Sequence, residues 1–399
     1  MPTLNWIGKE KVVNHHQDVP YKILEPQYTF TNGKDSKGAT SQNKIIHGDN
    51  LEALKSLLPE HEGKIKCIYI DPPYNTGNEG WVYNDNVSHP KLKKWLGQVV
   101  GKESEDLSRH DKWLCMMYPR LKLLHKLLTD DGVIFISLDD SEFANLKLIC
   151  DEIFGYNNFM NDIIWQHSIQ PKGYTGKFSV HHNHTFVYRK SSSFKLGLFE
   201  RTSEDNKSYS NPDKDPKGEW RTGDFRNALY RPNLIYPLEA PNGNTIEAPE
   251  KGWRWSKETM QGKINTGEIF FNKENTGITR KIYLKDQEGR PPETIWFATK
   301  FGSTRKANVT LKEIFGSSPF DTPKPYQLIQ AITKISTDKN SIILDSFAGS
   351  GTTAHAVLNL NKKDGGNRKF ILVEMEDYAN TITAERVKRS EGFIFKFCY

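Results

Sequence analysis

The strongest constraint on the fold is an alternation of short apolar runs with longer helical stretches, which occurs in two separate parts of the chain. In the first part, strand-like runs occupy residues 44–47, 67–70, 132–138, 163–165 and 184–188, and helical stretches occupy residues 51–58 and 111–128. Strands that alternate with helices predict a parallel sheet with helices on its faces. We expect the last two strands to close one edge of that sheet.

The same alternation returns near the C-terminus, with helical stretches at 326–336 and 353–360 and strand-like runs at 341–344 and 370–373. The residues between the two parts are instead rich in Pro, Gly, Asn, Trp and charged side chains. We therefore predict four segments. They are an N-terminal arm or loosely packed extension (1–43), two halves of one α/β domain (44–190 and 301–399) and an insertion (191–300).

The composition excludes several classes of protein. Hydrophobic residues make up 36% of the 399 residues and charged residues 26%, which fits a folded chain with a polar surface. No apolar run approaches the roughly 20 residues that cross a bilayer, and the N-terminus lacks a secretory signal, so we expect a cytoplasmic protein without a membrane segment. The four cysteines form no C-x-x-C pair, and a net charge of +6 is only weak support for a polyanionic partner.

The tetrapeptide Asp71-Pro72-Pro73-Tyr74 directly follows an apolar strand. Ligands of open α/β sheets bind beyond the carboxyl ends of the strands. Two successive prolines have no backbone N–H groups and restrict the backbone, so this loop presents carbonyl acceptors beside a carboxylate. Such acceptors can take both hydrogens of an amine, and Tyr74 can stack on a nucleobase. The tetrapeptide therefore indicates chemistry on an exocyclic amine, and a simple turn is the alternative interpretation.

A second loop, residues 345–353, lies between a strand-like run and a helix. Gly349 and Gly351 allow a close backbone approach, and the N-terminus of the following helix offers free N–H groups to an anion. Ala354 stands where a dinucleotide fingerprint has its third glycine, so the carboxylate of S-adenosylmethionine fits better than a pyrophosphate. Glu374 ends the next strand, where an acid can accept hydrogen bonds from ribose hydroxyls. An ordinary glycine turn is the alternative.

Three histidines, His181, His182 and His184, lie close together in the sequence. They fall on a predicted strand, and neither a cysteine nor a second histidine cluster accompanies them. We therefore predict no metal site.

Together the two loops resemble the amino-methyltransferases of DNA, in which Asp-Pro-Pro-Tyr is the catalytic motif and Phe-x-Gly-x-Gly binds S-adenosylmethionine. The catalytic loop precedes the cofactor loop and the insertion separates them, as in the β group of that family. Further stretches resemble the modification subunits of type III restriction systems, namely residues 48–54, 71–78, 109–113 and 322–328. The resemblance covers most of residues 44–190 and 300–380.

This resemblance implies a Rossmann-like, S-adenosylmethionine-dependent methyltransferase fold of the α/β class. The expected sheet has seven strands in a permuted order, so that the first two strands of the family's sheet come last in this sequence. An inserted target-recognition domain accompanies it.

The resemblance also implies the residues of the site. Asp71, Pro72, Pro73 and Tyr74 are expected to be catalytic, and the Asp points to adenine N6, because relatives acting on cytosine N4 more often carry Ser there. Asp49 is expected to contact the adenine end of S-adenosylmethionine and Glu374 its ribose. The remaining expected cofactor residues are Lys324, Pro325 and Leu328, which cover the methionine end, and Asp345, Phe347, Ala348, Gly349, Ser350, Gly351 and Thr352 of the glycine loop.

By its position in the family, the insertion is expected to recognise double-stranded DNA. Residues 190–300 contain 19 Lys and Arg against 16 Asp and Glu, so charge is not the argument. Aromatic residues lie beside arginines in Trp220-Arg221, Phe225-Arg226, Tyr230-Arg231 and Trp253-Arg254-Trp255. Arginine can read guanine edges, and aromatic rings can stack or wedge where a base leaves the helix. For any single one of these side chains, a place in the core of a small domain is the commoner role.

The sequence therefore predicts a site-specific methyltransferase that acts on N6 of a flipped adenine, in a restriction-modification or a solitary role. Two alternatives stay open: methylation of cytosine N4, which uses the same geometry, and a DNA-binding specificity subunit without catalysis. The chain is short for a type III modification subunit, which leaves a restriction subunit as partner open. A homodimer is expected from the family.

Overall fold

The computed structural model describes residues 3–31, 34–36, 41–76, 94, 97–98, 108–171, 173, 176–390 and 395–399. The chain divides into two compact units. The larger unit comprises Met1–Gly197 and Pro292–Tyr399, and the smaller unit comprises Leu198–Pro291. The smaller unit therefore begins and ends inside the insertion expected at 191–300.

The strands, in chain order, are β1 (Pro26–Thr31), β2 (Lys34–Ser36), β3 (Lys44–His47), β4 (Ile65–Ile70), β5 (Leu128–Leu138), β6 (Phe159–Gln166), β7 (His182–Arg189), β8 (Trp220–Gly223), β9 (Leu238–Glu239), β10 (Thr245–Ile246), β11 (Ile269–Phe271), β12 (Ile278–Tyr283), β13 (Ile295–Trp296), β14 (Ile342–Asp345), β15 (Lys369–Glu374) and β16 (Phe395–Cys398). The α-helices of the described residues are Lys9–Val12, His15–Asp18, Asn50–His61, Arg109–Leu127, Phe143–Phe154, Ser203–Asn206, Lys257–Asn265, Ala298–Phe301, Thr304–Phe315, Tyr326–Ser336, Thr352–Asp364 and Glu385–Arg389.

Eleven strands of the larger unit form one mixed sheet in the order β13-β6-β7-β5-β4-β14-β15-β3-β16-β1-β2. The seven strands from β6 to β3 form the expected permuted sheet, in which β7 is antiparallel to both of its neighbours. As expected, β14 and β15 come late in the sequence but lie inside the sheet. Four further strands extend its edges, β13 on one side and β16, β1 and β2 on the other. β13 and β2 have two and three residues, too few for a periodic pattern.

The central strands are buried because helices cover both faces of the sheet. β4 is buried at five of its six positions, and β15 likewise, which is the continuous apolar pattern of a parallel strand inside an α/β fold. Helix Tyr326–Ser336 buries apolar residues at helical spacing and packs on helix Thr352–Asp364, which follows β14. Both candidate loops thus leave from rigid, buried strands, β4 and β14, that pair in parallel.

The described N-terminal residues are packed into the larger unit, whereas an arm or a loosely packed extension was expected. β1 pairs with β16, and Val12 and Val19 are buried in the main core. The indole Nε1 of Trp6 lies 3.3 Å from Sγ of Cys115. The apolar residues that make these contacts stand singly among polar residues. The sequence of this segment therefore shows no hydrophobic periodicity.

The smaller unit has a three-stranded antiparallel sheet, β11-β12-β8, and a two-stranded one, β9 with β10. Its core contains Trp253 and Met260, whereas Leu229 and Tyr230 are exposed at 65% and 63%. Among the aromatic residues noted beside arginines, Trp220 and Trp253 are therefore core residues and Tyr230 lies on the surface.

Within the described residues, none of the helices combines the length and the apolar character needed to span a membrane.

Candidate active site

The Asp-Pro-Pro-Tyr loop begins directly at the carboxyl end of β4, in the middle of the sheet. Asp71 is only 8% exposed, so its carboxylate needs hydrogen-bond partners inside the protein. The Tyr74 hydroxyl donates to Oδ1 of Asp71 over 2.8 Å. Burial, followed by the charge of Asp71, raises the pKa of the Tyr74 phenol well above its usual value, so Tyr74 stays a neutral donor.

The second carboxylate oxygen of Asp71 faces Lys324. Its ammonium lies 2.5 Å from Oδ2 of Asp71 and 5.1 Å from the centre of the Tyr74 ring. Lys324 was expected to cover the cofactor, and the structure shows it in an ion pair with the carboxylate of the Asp-Pro-Pro-Tyr loop. Both oxygens of Asp71 therefore have a partner.

The glycine loop follows β14, next to β4 in the sheet. Its first residue, Asp345, accepts from the backbone N–H of Phe347 over 3.0 Å and from the hydroxyl of Thr353 over 2.5 Å. Burial, with a contribution from the nearby charge of Asp71, raises the pKa of Asp345 to about 7. Asp345 thus stabilises the turn and is only partly ionised near neutrality.

The two glycines of this loop have backbone conformations that disfavour other residues, with φ of 51° at Gly349 and 78° at Gly351. A Cβ atom on Gly351 would also lie 2.9 Å from the carbonyl oxygen of Thr383. The hydroxyl of Thr383 donates to the carbonyl of Gly349 over 2.6 Å. Glycine is thus needed at position 351 for two reasons, its φ and this close approach.

Glu374, expected to bind a ribose, holds the glycine loop in place. Its Oε2 accepts from the N–H of Gly349 over 2.7 Å and its Oε1 from the N–H of Glu376 over 3.0 Å. Burial raises the pKa of Glu374 to about 7. Tyr378 also hydrogen-bonds to this carboxylate, so three of its four lone pairs have donors and one can still accept from a ligand hydroxyl.

Sequence reasoning missed Arg386, which fixes the same loop from helix Glu385–Arg389. Its Nη1 donates over 2.8 Å to the hydroxyls of both Ser350 and Thr352. Burial lowers the pKa of Arg386 to about 9. A single arginine in a helical stretch is no signal in the sequence, because most such arginines lie on the surface.

The two loops line one narrow cleft of about 20 Å³. Its lining residues are Tyr69, Asp71, Phe320, Thr322, Pro323, Lys324, Asp345, Phe347, Ala348, Gly349, Ser350, Thr352 and Thr353. Leu328, also expected at the cofactor, is fully buried in the core, and Pro325 precedes the first turn of helix Tyr326–Ser336. Lys324 and the glycine loop thus line the cleft, whereas Leu328 lies in the core.

A cavity of about 830 Å³ opens on the other side of Tyr74 and Lys324, and both residues line it. Its walls also include Trp165, His167 and Asn183. This volume falls within the range of ligand pockets, roughly 300–1,000 Å³. The Asp-Pro-Pro-Tyr loop therefore borders the narrow cleft with Asp71 and the large cavity with Tyr74.

Asp49 lies in another cavity, of about 820 Å³, together with Gly48, Met375 and Asp377. These residues follow the adjacent strands β3 and β15. Oδ1 of Asp49 caps helix Asn50–His61 by accepting from the backbone N–H groups of Leu51 and Glu52, over 2.8 and 3.1 Å. Asp49 is therefore anchored as a helix cap at the edge where it was expected to meet the cofactor.

Among the described residues, one group could offer three metal ligands: Asp140, His182 and His184. Both ring nitrogens of His184 already face carboxylates, with Nδ1 2.7 Å from Asp162 and Nε2 3.0 Å from Asp140. Although burial opposes it, these hydrogen bonds raise the pKa of His184. A protonated ring that bridges two carboxylates accounts for this geometry without an ion.

Positions 77 and 78, part of a stretch that carried the family resemblance, lie outside the described residues.

Comparison with known proteins places these features in context. A family model described as DNA methylase matches residues 65–385.

The chain is 34% identical to the type III restriction-modification enzyme StyLTI Mod subunit of Salmonella typhimurium, over 94% of this chain and 58% of that protein. It is 33% identical to the EcoPI Mod subunit of Escherichia phage P1, over 95% of this chain and 64% of that protein. It is 36% identical to the type II methyltransferase M.KpnI of Klebsiella pneumoniae, over 89% of this chain and 85% of that protein. The chain thus spans about three fifths of the two Mod subunits.

Proposed function

This chain belongs to the DNA methylase family, and from that premise we propose that it transfers a methyl group from S-adenosylmethionine to the exocyclic N6 amine of adenine in DNA. The observation that carries the proposal is the shared cleft, in which the Asp71 carboxylate and the glycine loop meet. An amine acceptor and a cofactor loop at one place are what such a transfer requires.

Residues in the cleft and at the neighbouring strand ends offer polar partners to the proposed cofactor, whose binding must widen the cleft from its 20 Å³. The glycines let the loop pack closely against Phe320 and Thr383, and the N-terminus of helix Thr352–Asp364 that follows favours a carboxylate. The Glu374 carboxylate can accept from a ribose hydroxyl. Asp49 follows the carboxyl end of β3, the strand that pairs with β15. When bound, S-adenosylmethionine supplies an electrophilic methyl group on a sulfonium centre.

The catalytic loop activates and orients the amine. Oxygen atoms of Asp71 and of the Pro72 carbonyl accept the two N6 hydrogens, which moves lone-pair density from the ring towards nitrogen. The ring of Tyr74 stacks on the base. Lys324 and Tyr74 each hydrogen-bond to one oxygen of Asp71, and the second lone pair of either oxygen can accept from the arriving amine. After transfer, the amine gives up one proton, and Asp71 is the nearest acceptor.

The 830 Å³ cavity beside Tyr74 is the proposed site of the flipped base. A base leaves the duplex so that an enzyme can reach its exocyclic amine, and it is then held by stacking and by hydrogen bonds. The smaller unit, Leu198–Pro291, is proposed to bind double-stranded DNA and select the sequence, with the exposed Tyr230 and its neighbour Arg231 as candidate contacts.

Two further proposals concern partners. Relatives named as Mod subunits of restriction-modification enzymes support a role beside a restriction subunit, and M.KpnI, named as a type II methyltransferase, supports action without one. A homodimer is proposed from the family resemblance. Sedimentation of the purified chain, alone and with a co-expressed restriction subunit, tests both.

A transfer assay tests the main proposal. The protein is incubated with unmethylated DNA and S-adenosylmethionine carrying a tritiated methyl group, and the digested nucleosides are separated by mass. We expect N6-methyladenine. N4-methylcytosine would establish the alternative target, and the absence of any methylated nucleoside would support a DNA-binding subunit without catalysis.

A further inference from the structure

The catalytic loop cannot be held by its own central backbone donors, because Pro72 and Pro73 have no N–H groups. Two attachments replace them. The carbonyl of Pro73 accepts from the indole Nε1 of the fully buried Trp113 over 2.6 Å. The next attachment is Asn75, which is 2% exposed and has a φ of 58°, a left-handed conformation that asparagine tolerates better than most residues.

Asn75 is held by a buried carboxylate, Glu142. The side chain of Glu142 is fully buried, and its Oε1 accepts from Nδ2 of Asn75. The same oxygen lies 2.7 Å from Nδ1 of His110, and Oε2 accepts from Asn145 over 2.6 Å. Three polar neighbours thus satisfy a carboxylate that would otherwise be costly to bury.

The position of Glu142 in its own helix does not explain this arrangement. Glu142 is the N-cap residue of helix Phe143–Phe154, but its side chain makes no capping hydrogen bond. Ser, Thr, Asp or Asn would stabilise the helix better at this position. The carboxylate instead reaches Asn75, one residue beyond the end of the tetrapeptide.

Helix Arg109–Leu127 completes the attachment. It supplies Trp113 and His110, and the carbonyl of Arg109 accepts from Nδ2 of Asn75 over 3.2 Å. Asn75 therefore connects the loop after β4 to the first turns of two helices.

We propose that Glu142 is a positioning residue, which fixes the orientation of the Asp-Pro-Pro-Tyr loop through Asn75 without touching substrate or cofactor. This inference rests on the proposed methyl transfer. A displacement of the reacting groups by about 1 Å can lower a rate about 10²-fold. Glu142→Ala should therefore lower kcat by about 10²-fold and leave the KM for S-adenosylmethionine unchanged, because the hydrogen bonds of Glu142 and Asn75 among the described residues go to other segments than the glycine loop.

The experiment compares the full chain with variants of Glu142 and Asn75. Glu142→Gln keeps an acceptor oxygen for Asn75 and should recover most of the activity lost in Glu142→Ala. Asn75→Gly keeps the left-handed backbone but removes the amide, so it should match Glu142→Ala. Combining the two changes should then add little further loss, since both remove the same contact.

Asp151→Asn is the matched control. Asp151 is also buried, lies on helix Phe143–Phe154 and accepts from the Tyr188 hydroxyl over 2.8 Å. Among the described residues, its side-chain hydrogen bonds go to Tyr188 and Lys147, and not to the Asp-Pro-Pro-Tyr loop. It should lose stability but keep its kcat. An equal loss of kcat in Asp151→Asn and Glu142→Ala, or an unchanged kcat in a folded Glu142→Ala, would overturn the proposal.

An NMR signal that does not depend on activity tests the positioning of the loop separately from the proposed methyl transfer. The indole N–H resonance of Trp113, assigned with Trp113→Phe, reports its bond to Pro73. It should shift in Glu142→Ala and Asn75→Gly and stay in place in Asp151→Asn. If the wild type transfers no methyl group, the proposed function fails, whereas an unshifted Trp113 resonance in Glu142→Ala overturns the positioning role.

Discussion

Lys324 and Asp71 lie 253 residues apart in the sequence and form an ion pair of 2.5 Å in which each side chain is only 11% exposed. This pair joins the loop after β4 to the segment before helix Tyr326–Ser336, and so links the two halves of the domain across the insertion. The ion pair also uses one lone pair of the Asp71 carboxylate, the group that accepts an amine hydrogen in the proposed reaction.

The first prediction concerns the stability that this ion pair supports. Lys324→Ala leaves a buried carboxylate without its cation, which costs about 3–5 kcal/mol of unfolding free energy. Urea unfolding of the variant measures this loss. Lys66→Ala is the control, because Lys66 and Asp131 are also 2.5 Å apart but Asp131 is 52% exposed, and such a pair contributes about 0–1 kcal/mol. Equal losses in the two variants would contradict the role of burial.

The second prediction concerns the role of Asp71 in transfer. Asp71→Ala removes the acceptor of the amine hydrogens and should abolish methyl transfer. Binding of S-adenosylmethionine should persist, because Asp345, Glu374 and the glycine loop are unchanged. Calorimetric titration measures the binding and the tritium assay measures the transfer. Full transfer by a folded Asp71→Ala would remove the proposed mechanism.

The order of the strands and the two loops could be predicted because each loop follows a buried apolar strand and contains residues with a special backbone requirement. The edge strands could not, since β13 has two residues and the pairing of β1 depends on a strand more than 360 positions away. The ion partner of Asp71 was identified as a site residue but given another role, because a lysine in sequence does not reveal which carboxylate it meets. Arg386 and Glu142 carry no local signal in the sequence, and their contacts with the loops become visible only as buried hydrogen bonds in the structure.

The third prediction uses the raised pKa of Glu374, which is about 7. Near pH 7 this carboxyl group is therefore partly protonated in the free protein. A ligand whose hydroxyls donate to the ionised carboxylate favours the loss of that proton, so binding of S-adenosylmethionine at pH 7 should release protons. Titration calorimetry in two buffers of different ionisation enthalpy measures the number released. Glu374→Gln should release fewer; an identical release would exclude Glu374 as the source.

The fourth prediction separates two reasons for a glycine at position 351. Gly351 and Gly365 cap the two ends of helix Thr352–Asp364, with φ of 78° and 66°. A Cβ on Gly351 would meet the Thr383 carbonyl at 2.9 Å, whereas a Cβ on Gly365 would meet nothing within 4 Å. Alanine at either position costs about 1–2 kcal/mol for its left-handed backbone. Gly351→Ala should cost more in urea unfolding and also weaken cofactor binding; equal costs would show that the close approach is harmless.

The last prediction is a pH dependence of stability that depends on His184. Although burial opposes it, hydrogen bonds to Asp162 and Asp140 raise the pKa of His184 above 6.5 in the folded state. The folded state therefore holds this proton more tightly than the unfolded chain. The resulting stabilisation is complete below pH 6.5 and is lost as the pH rises through the folded-state pKa. We expect the difference in unfolding free energy between the wild type and His184→Gln to be largest at pH 6 and to shrink towards pH 9. A difference that stays constant over this range would show that the ring does not bridge the two carboxylates as a cation.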